Sequence, residues 1–165
     1  AIIEQLGFDL DQIPLLARHI TRPEHRMEYV RTWNGITFYN DSKSTTPTST
    51  CYAVQQCSPQ STVLLLGGLS KGIDRQPLIK QLKKFKHLKH VICFGAESTQ
   101  LHGWCQKLKI VSSTAENLEN AFESALLVAH ASDVILLSPG GSSFDLFKNF
   151  MERGNRFKAL VNALQ

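Results

Sequence analysis

Residues 34–49, NGITFYNDSKSTTPTS, decide the fold of this 165-residue chain. The alternating apolar run Ile36-Thr37-Phe38-Tyr39 predicts a strand, which breaks into the polar segment Asn40-Asp41-Ser42-Lys43 before Pro47 opens a helix. A strand, a polar loop and a helix start thus follow one another. Because backbone N–H groups at a helix N-terminus favour phosphate or carboxylate ligands, this stretch predicts one half of a ligand site.

The residues before this stretch predict a β-hairpin. Met27-Glu28-Tyr29-Val30 and the strand above flank Asn34-Gly35, which is a strong signal for a two-residue turn with positive φ. Further upstream, apolar periodicity within residues 1–20 predicts a short helix, and Pro23 disfavours its continuation. We therefore predict a domain boundary near residue 24, with residues 1–23 as the end of a preceding, truncated domain.

After the opening stretch, predicted strands and helices alternate. Buried strands are predicted at residues 61–66, 91–94 and 133–138, with a short strand at 109–111. Helices are predicted at 48–56, 76–85, 97–107, 115–129 and after 141, where Gly154 is a candidate interruption. Apolar strands separated by helices are typical of a parallel sheet covered on both faces. We predict an α/β fold: a three-layer, doubly wound, mainly parallel sheet with an N-terminal antiparallel hairpin strand.

Composition narrows the class of protein. At 42% hydrophobic residues the chain fits one α/β domain, and no apolar run approaches the ~20 residues that span a bilayer. The four cysteines show no CxxC pairing, so we predict structural thiols and no metal site. The net charge of +4 owes much to five lysines between residues 80 and 89. This cluster could bind nucleic acid, but no nucleic-acid motif accompanies it, which favours a solvated face. We expect a monomeric cytoplasmic protein that binds neither nucleic acid nor membrane.

Three predicted strand ends carry polar loops. In doubly wound sheets ligands bind at the carboxyl ends of the strands. Lys71, in the loop Gly67–Gly72, could meet an anion or could simply be solvated. Ser142 and Ser143 could cap the last helix or bind a carboxylate beside free N–H groups. Arg26 could be an ordinary surface residue or a clamp for a polyphosphate. No Walker-type ATP motif and no serine nucleophile elbow are present in the sequence.

Taken in order, these segments resemble the C-terminal part of the Mur ligases, and above all their D-glutamate-adding members. The resemblance covers residues 24–164, while residues 1–23 are similar to the end of the family's central ATP-binding domain. It is carried by HRME at 25–28, NDSKST at 40–45, LLGG at 65–68 with Lys71-Gly72, and LSP through SFDLFKNF at 137–150 with Arg153-Gly154. It implies an ATP-driven amide ligase, which joins D-glutamate to UDP-N-acetylmuramoyl-L-alanine through an acyl phosphate in peptidoglycan precursor synthesis.

The resemblance also implies site residues. Thr45, Lys71, Ser143 and Phe150 match residues that hold D-glutamate, and Phe144 lines the same pocket through its backbone. Arg26 and Asp41 match nucleotide contacts, and Lys43 matches a catalytic residue near the phosphates and the substrate carboxylates. Thr46 and Ser142 depart from the family pattern and receive no role.

Other parts of the resembled enzyme have no counterpart in this chain. ATP and Mg²⁺ are the implied cofactors, and the P-loop, the magnesium ligands and the uridine-nucleotide domain are expected in missing domains. The fragment alone is therefore expected to be inactive. An alternative hypothesis is a stand-alone amino-acid or nucleotide-binding module without catalysis.

Overall fold

The computed structural model describes residues 23–165, and within them a six-stranded sheet is flanked by helices. The strands are β1 Glu28–Trp33, β2 Ile36–Asn40, β3 Thr62–Gly67, β4 Leu88–Phe94, β5 Ser112–Ala115 and β6 Val134–Leu137. The helices are α1 Pro47–Gln56, α2 Gln76–Leu82, α3 Ser98–Lys107, α4 Leu118–Val128 and α5 Phe150–Asn162. The strand order is β1-β2-β6-β3-β4-β5, and only the β1–β2 pair is antiparallel. The predicted helix within residues 1–20 lies outside the described residues, as does nearly all of the predicted preceding-domain tail.

The predicted hairpin is confirmed. Trp33 pairs with Ile36 across a two-residue turn, and Asn34 and Gly35 adopt φ values of 48° and 79°. Positive φ at both positions matches the right-handed twist of the flanking strands. The hairpin adds β1 to the edge of the parallel sheet and leads β2 into the opening loop.

The sheet is covered on both faces, which confirms the predicted three-layer fold. Leu64 and Leu66 of β3 pack with α1, α2 and α3 on one face. Val63 and Leu65, the alternate residues of the same strand, pack with α4 and α5 on the other. Since successive side chains of a strand point to opposite faces, an uninterrupted apolar run results when both faces are buried.

Four predictions of local structure were wrong. The short strand predicted at 109–111 lies at Ser112–Ala115 instead. Lys109 has φ 54°, and Val111, whose carbonyl accepts from the Val91 N–H at 3.0 Å, is 64% exposed and precedes the paired residues. Helix α2 ends at Leu82 rather than residue 85, so most of the clustered lysines follow the helix. The last helix begins only at Phe150, and it continues through Gly154 without a break.

Two further predictions concern the cysteines and the membrane. All four cysteines are free thiols, with Cys57, Cys93 and Cys105 buried and Cys51 half-buried. None of the helices between residues 23 and 165 combines the length and apolar character required to cross a bilayer.

Candidate functional site

Three loops converge at one edge of the sheet. The order β2-β6-β3 places the carboxyl ends Asn40, Leu137 and Gly67 side by side. Two backbone hydrogen bonds of 2.9 Å join Leu69 to Ser142 as an isolated antiparallel bridge. Gly68 has φ 71°, and a side chain there would collide with the Ser142 carbonyl, so glycine permits this close approach. The loops that the sequence selected therefore form one continuous surface.

A cleft of about 310 Å³ lies between these loops. It is lined by all five residues predicted to hold the amino acid: Thr45, Lys71, Ser143, Phe144 and Phe150. Thr46, Ser142 and Asn149 also line it. The predicted substrate residues, which are spread over 106 positions of sequence (45 to 150), are thus brought together.

A larger cleft of about 610 Å³ adjoins the first. Its lining includes Arg26, Asp41 and Lys43, the predicted nucleotide and catalytic residues. Thr46 lines both clefts, so the N-terminus of α1 forms their common wall. The Thr46 hydroxyl caps that helix by accepting from the Ser49 N–H at 3.4 Å.

Asp41 is nearly completely buried and organises the loop after β2. Its carboxylate accepts hydrogen bonds from the Ser44 hydroxyl, from the Ser138 hydroxyl at 2.8 Å and from the Met27 N–H at 3.1 Å. Burial raises the pKa of Asp41, although these donors oppose the rise. The side chain therefore ties the β2 loop to the end of β6 at the wall of the larger cleft.

The two predicted lysines remain at the surface, and each lies near an aromatic ring. The Lys43 ammonium is 5.7 Å from the centroid of the Phe150 ring, and the Lys71 ammonium is 4.4 Å from that of Phe144. Lys43 N–H donates to the His25 carbonyl at 2.9 Å, which fixes the backbone beneath the ammonium. Both cations can therefore meet an anion entering from solvent.

Ser143 does not begin the last helix, contrary to the prediction. It lies in a turn, where its carbonyl accepts from the Phe147 N–H at 2.8 Å. Asn149 caps α5 instead, accepting from the Glu152 N–H at 2.8 Å. Because Asn149 and Phe150 also line the smaller cleft, the helix N-terminus borders the site seven residues later than predicted.

Sequence reasoning missed two buried arginines that hold the loops together. Arg75 donates to the carbonyls of Gly67 at 3.0 Å, Gly68 at 2.9 Å and Pro139 at 2.8 Å. The Arg75–Glu97 ion pair, with 3.3 Å between Nη1 and Oε2, extends this network. Glu97 in turn accepts from the N–H of Ser70, the neighbour of Lys71, at 2.8 Å. The sequence carries no local signal that distinguishes Arg75 from a surface arginine at a helix start.

Arg153 makes the corresponding link on the other side. It donates to the Ser42 hydroxyl at 3.0 Å, the Ser42 carbonyl at 2.8 Å and the Gly141 carbonyl at 3.1 Å. Burial lowers the pKa of Arg153 to about 10, which leaves the guanidinium charged at neutral pH. Its place in the RG motif was part of the resemblance, but only the packed structure shows what it contacts.

Neither cleft provides a metal site by itself. Among residues 23–165 no group of three His, Cys, Asp or Glu side chains is placed to hold an ion. Asp41, the acidic residue of the larger cleft, already accepts three hydrogen bonds. The side chains that line the two clefts therefore do not form a complete ligand set for Mg²⁺.

Comparison with known proteins identifies the family of this chain. The family model described as Mur ligase, glutamate ligase domain, matches residues 25–141. The chain belongs to this family. A UDP-N-acetylmuramoylalanine–D-glutamate ligase from Pseudothermotoga lettingae is 37% identical over 164 residues, which are 99% of this chain and 38% of the relative. The same-named ligase from Shouchella clausii is 35% identical over 96% of this chain and 34% of its own length. This Mur ligase domain therefore spans a little over a third of the relatives it matches.

Solved structures agree on the fold of this Mur ligase domain. A UDP-N-acetylmuramate-alanine ligase from Thermotoga maritima has a TM-score of 0.68 at 14% identity, over 98% of this chain and 35% of that one. A MurF ligase from the same organism, solved in complex with ADP, has a TM-score of 0.63 at 16% identity, over 98% and 36%. At these identities the likeness shows a shared fold alone.

Proposed function

We propose that this chain is the C-terminal domain of an ATP-dependent ligase that adds D-glutamate to UDP-N-acetylmuramoyl-L-alanine. In this proposal residues 24–165 form the D-glutamate-binding domain, and residues 1–23 end the central ATP-binding domain. This reaction is the one in the names of the relatives, and the relatives are long enough to include further domains. We propose that the whole enzyme acts as a monomer in the cytoplasm, where ATP is available.

One observation carries the proposal. The five residues matched to D-glutamate binding line one cleft, the three matched to the nucleotide and catalysis line the next, and Thr46 separates them. An amide ligase needs such an arrangement, because the incoming amine and the activated carboxylate must meet while held by different groups.

The smaller cleft suits an amino acid with two carboxylates. Lys71 supplies an ammonium, Thr45 a hydroxyl, and the start of α5 at Phe150 supplies backbone N–H groups for negative charge. Fixing both carboxylates leaves the amine free to turn toward the larger cleft. Orientation is then the main contribution of this domain to amide formation.

The larger cleft suits the phosphates of a nucleotide. Arg26 offers a planar fork of N–H donors and Lys43 a compact point charge, both of which match phosphate oxygens. ATP, when bound, supplies the phosphoryl group that activates the carboxylate of the acceptor substrate. Lys43 would stabilise the negative charge that develops between the two clefts during the reaction. We place the Mg²⁺ ligands in the missing domains.

The alternative hypothesis is a stand-alone binding module, which would use the same two clefts to bind ligands without catalysing a reaction. The two are separated by assaying the complete polypeptide with ATP, UDP-N-acetylmuramoyl-L-alanine and either D- or L-glutamate. The ligase proposal predicts phosphate release that depends on the acceptor and on D-glutamate, with L-glutamate much poorer. Saturable D-glutamate binding without phosphate release would support the module instead.

A further inference from the structure

We propose that the aromatic ring of Phe144, and not only its backbone, positions the Lys71 ammonium for the ligand carboxylate. This inference rests on the proposed function, since it takes the carboxylate to be that of D-glutamate. It assigns a role to a side chain for which the family resemblance implied only a backbone contact.

The geometry is that of a cation–π pair. The Lys71 Nζ lies 4.4 Å from the centroid of the Phe144 ring, well within the ~6 Å over which the face of an aromatic ring attracts a cation. Phe144 is 57% exposed, and its ring borders the smaller cleft. The ring therefore lies at the mouth of the cleft rather than in the core.

The backbone around both residues is fixed. Lys71 has φ 50° and is followed by Gly72 at φ 80°, so the loop turns sharply at the lysine. The Leu69–Ser142 bridge holds the two loops together two residues before each partner. With the two loops joined there, the remaining freedom lies mainly in the two side chains, and the lysine rotamers carry about 2 kcal/mol of entropy.

A ring beneath the ammonium reduces that freedom. An ammonium has three N–H donors, so one side can rest on the ring while the others remain available to a carboxylate. A preplaced cation loses less entropy when the ligand binds, which strengthens binding without a new contact to the ligand. Lys43, at 5.7 Å from Phe150, is less closely held and has more freedom to follow the phosphates.

The test replaces Phe144 in the complete ligase with phenylalanine analogues bearing one, two and three ring fluorines. Fluorine weakens the negative face of the ring while nearly preserving its shape. The KM for D-glutamate should rise stepwise to about two- to fivefold, which is the range expected for an exposed cation–π pair. The KM for ATP and kcat should stay unchanged. The same analogues at Phe122, in the core on the α4 side, provide the control.

A second measurement needs no D-glutamate. In the nuclear magnetic resonance spectrum of the 165-residue chain, the methylene protons beside Lys71 Nζ should be shifted upfield by the ring, and Phe144→Leu should abolish that shift. A flat or falling KM across the fluorine series, or no ring-dependent shift, would overturn the inference. A wild-type enzyme that does not use D-glutamate would instead overturn the proposed function.

Discussion

Replacing Arg75 with methionine should destabilise the domain by about 2–4 kcal/mol. The substitution keeps much of the side-chain volume but removes the three donors that reach Gly67, Gly68 and Pro139. The Pro139 carbonyl keeps a donor, because the Gly67 N–H also reaches it at 3.0 Å. The other two carbonyls lose the guanidinium, and a buried acceptor left unpaired costs about 1–3 kcal/mol.

Two effects modify this sum. Removing a buried guanidinium recovers part of its desolvation penalty, which lowers the cost. The partner Glu97 retains 20% exposure, so water can solvate the carboxylate once its cation is gone. The expected loss of about 2–4 kcal/mol is therefore smaller than the largest cost of leaving two buried carbonyls without any hydrogen-bond donor.

The assay is equilibrium unfolding of the chain in urea, followed by tryptophan fluorescence. Arg156→Met is a matched control, because Arg156 forms an exposed ion pair with Glu119 that should be worth about 0–1 kcal/mol. Arg75→Lys should fall between wild type and Arg75→Met, since it keeps the charge but reaches fewer carbonyls. A loss under 1 kcal/mol, or one equal to that of Arg156→Met, would refute the view that Arg75 holds the loops together.

Four further substitutions address other parts of the molecule. Gly154→Ala would place a methyl group against the His25 ring and should cost about 1–3 kcal/mol in the same unfolding assay. Gly103→Ala, in open space on α3, should instead gain up to about 1 kcal/mol. Burial raises the pKa of Asp133, but its hydrogen bonds, of which that from Lys89 has the largest effect, hold the pKa below its usual value. Asp133→Asn should therefore cost about 1–2 kcal/mol at pH 7. The difference should begin to shrink as the pH falls below the ordinary aspartate pKa, and it should vanish only below the lowered pKa of the folded protein, where wild-type Asp133 is protonated. Arg26→Ala in the complete ligase should raise the KM for ATP about tenfold or more while leaving that for D-glutamate nearly unchanged, as initial-rate kinetics would show.

The parts of the fold that sequence predicted well have local causes. Asn34-Gly35 specifies its turn through backbone conformation, and the run Val63–Leu66 specifies a strand buried on both faces. The edge strand was misplaced because its residues are polar, Ser112 and Ser113 among them, while the apolar pair Ile110-Val111 lies just before it. An edge strand is defined by pairing with its neighbour, and the local apolar pattern does not report that pairing.

The site shows the same division. The strand-end loops could be predicted as the ligand site because parallel strands bring their carboxyl ends to one edge of the sheet. The individual site residues within those loops were predicted from the family resemblance. The late start of α5 was missed because Ser143 looks like a helix cap, whereas a turn closed by Phe147 N–H occupies that position. Arg75 and Arg153 were missed because their roles depend on carbonyls contributed by other loops, which become neighbours only after folding.

The most direct test of the account is the Lys71→Ala variant of the complete ligase, assayed with D-glutamate and ATP varied in turn. Lys71 is exposed and lies only in the smaller cleft, so its loss should not disturb the larger one. The KM for D-glutamate should rise about tenfold or more, as for a lost charged hydrogen bond, while the KM for ATP and the unfolding free energy stay nearly unchanged. An unchanged KM for D-glutamate would contradict the assignment of the smaller cleft to the incoming amino acid.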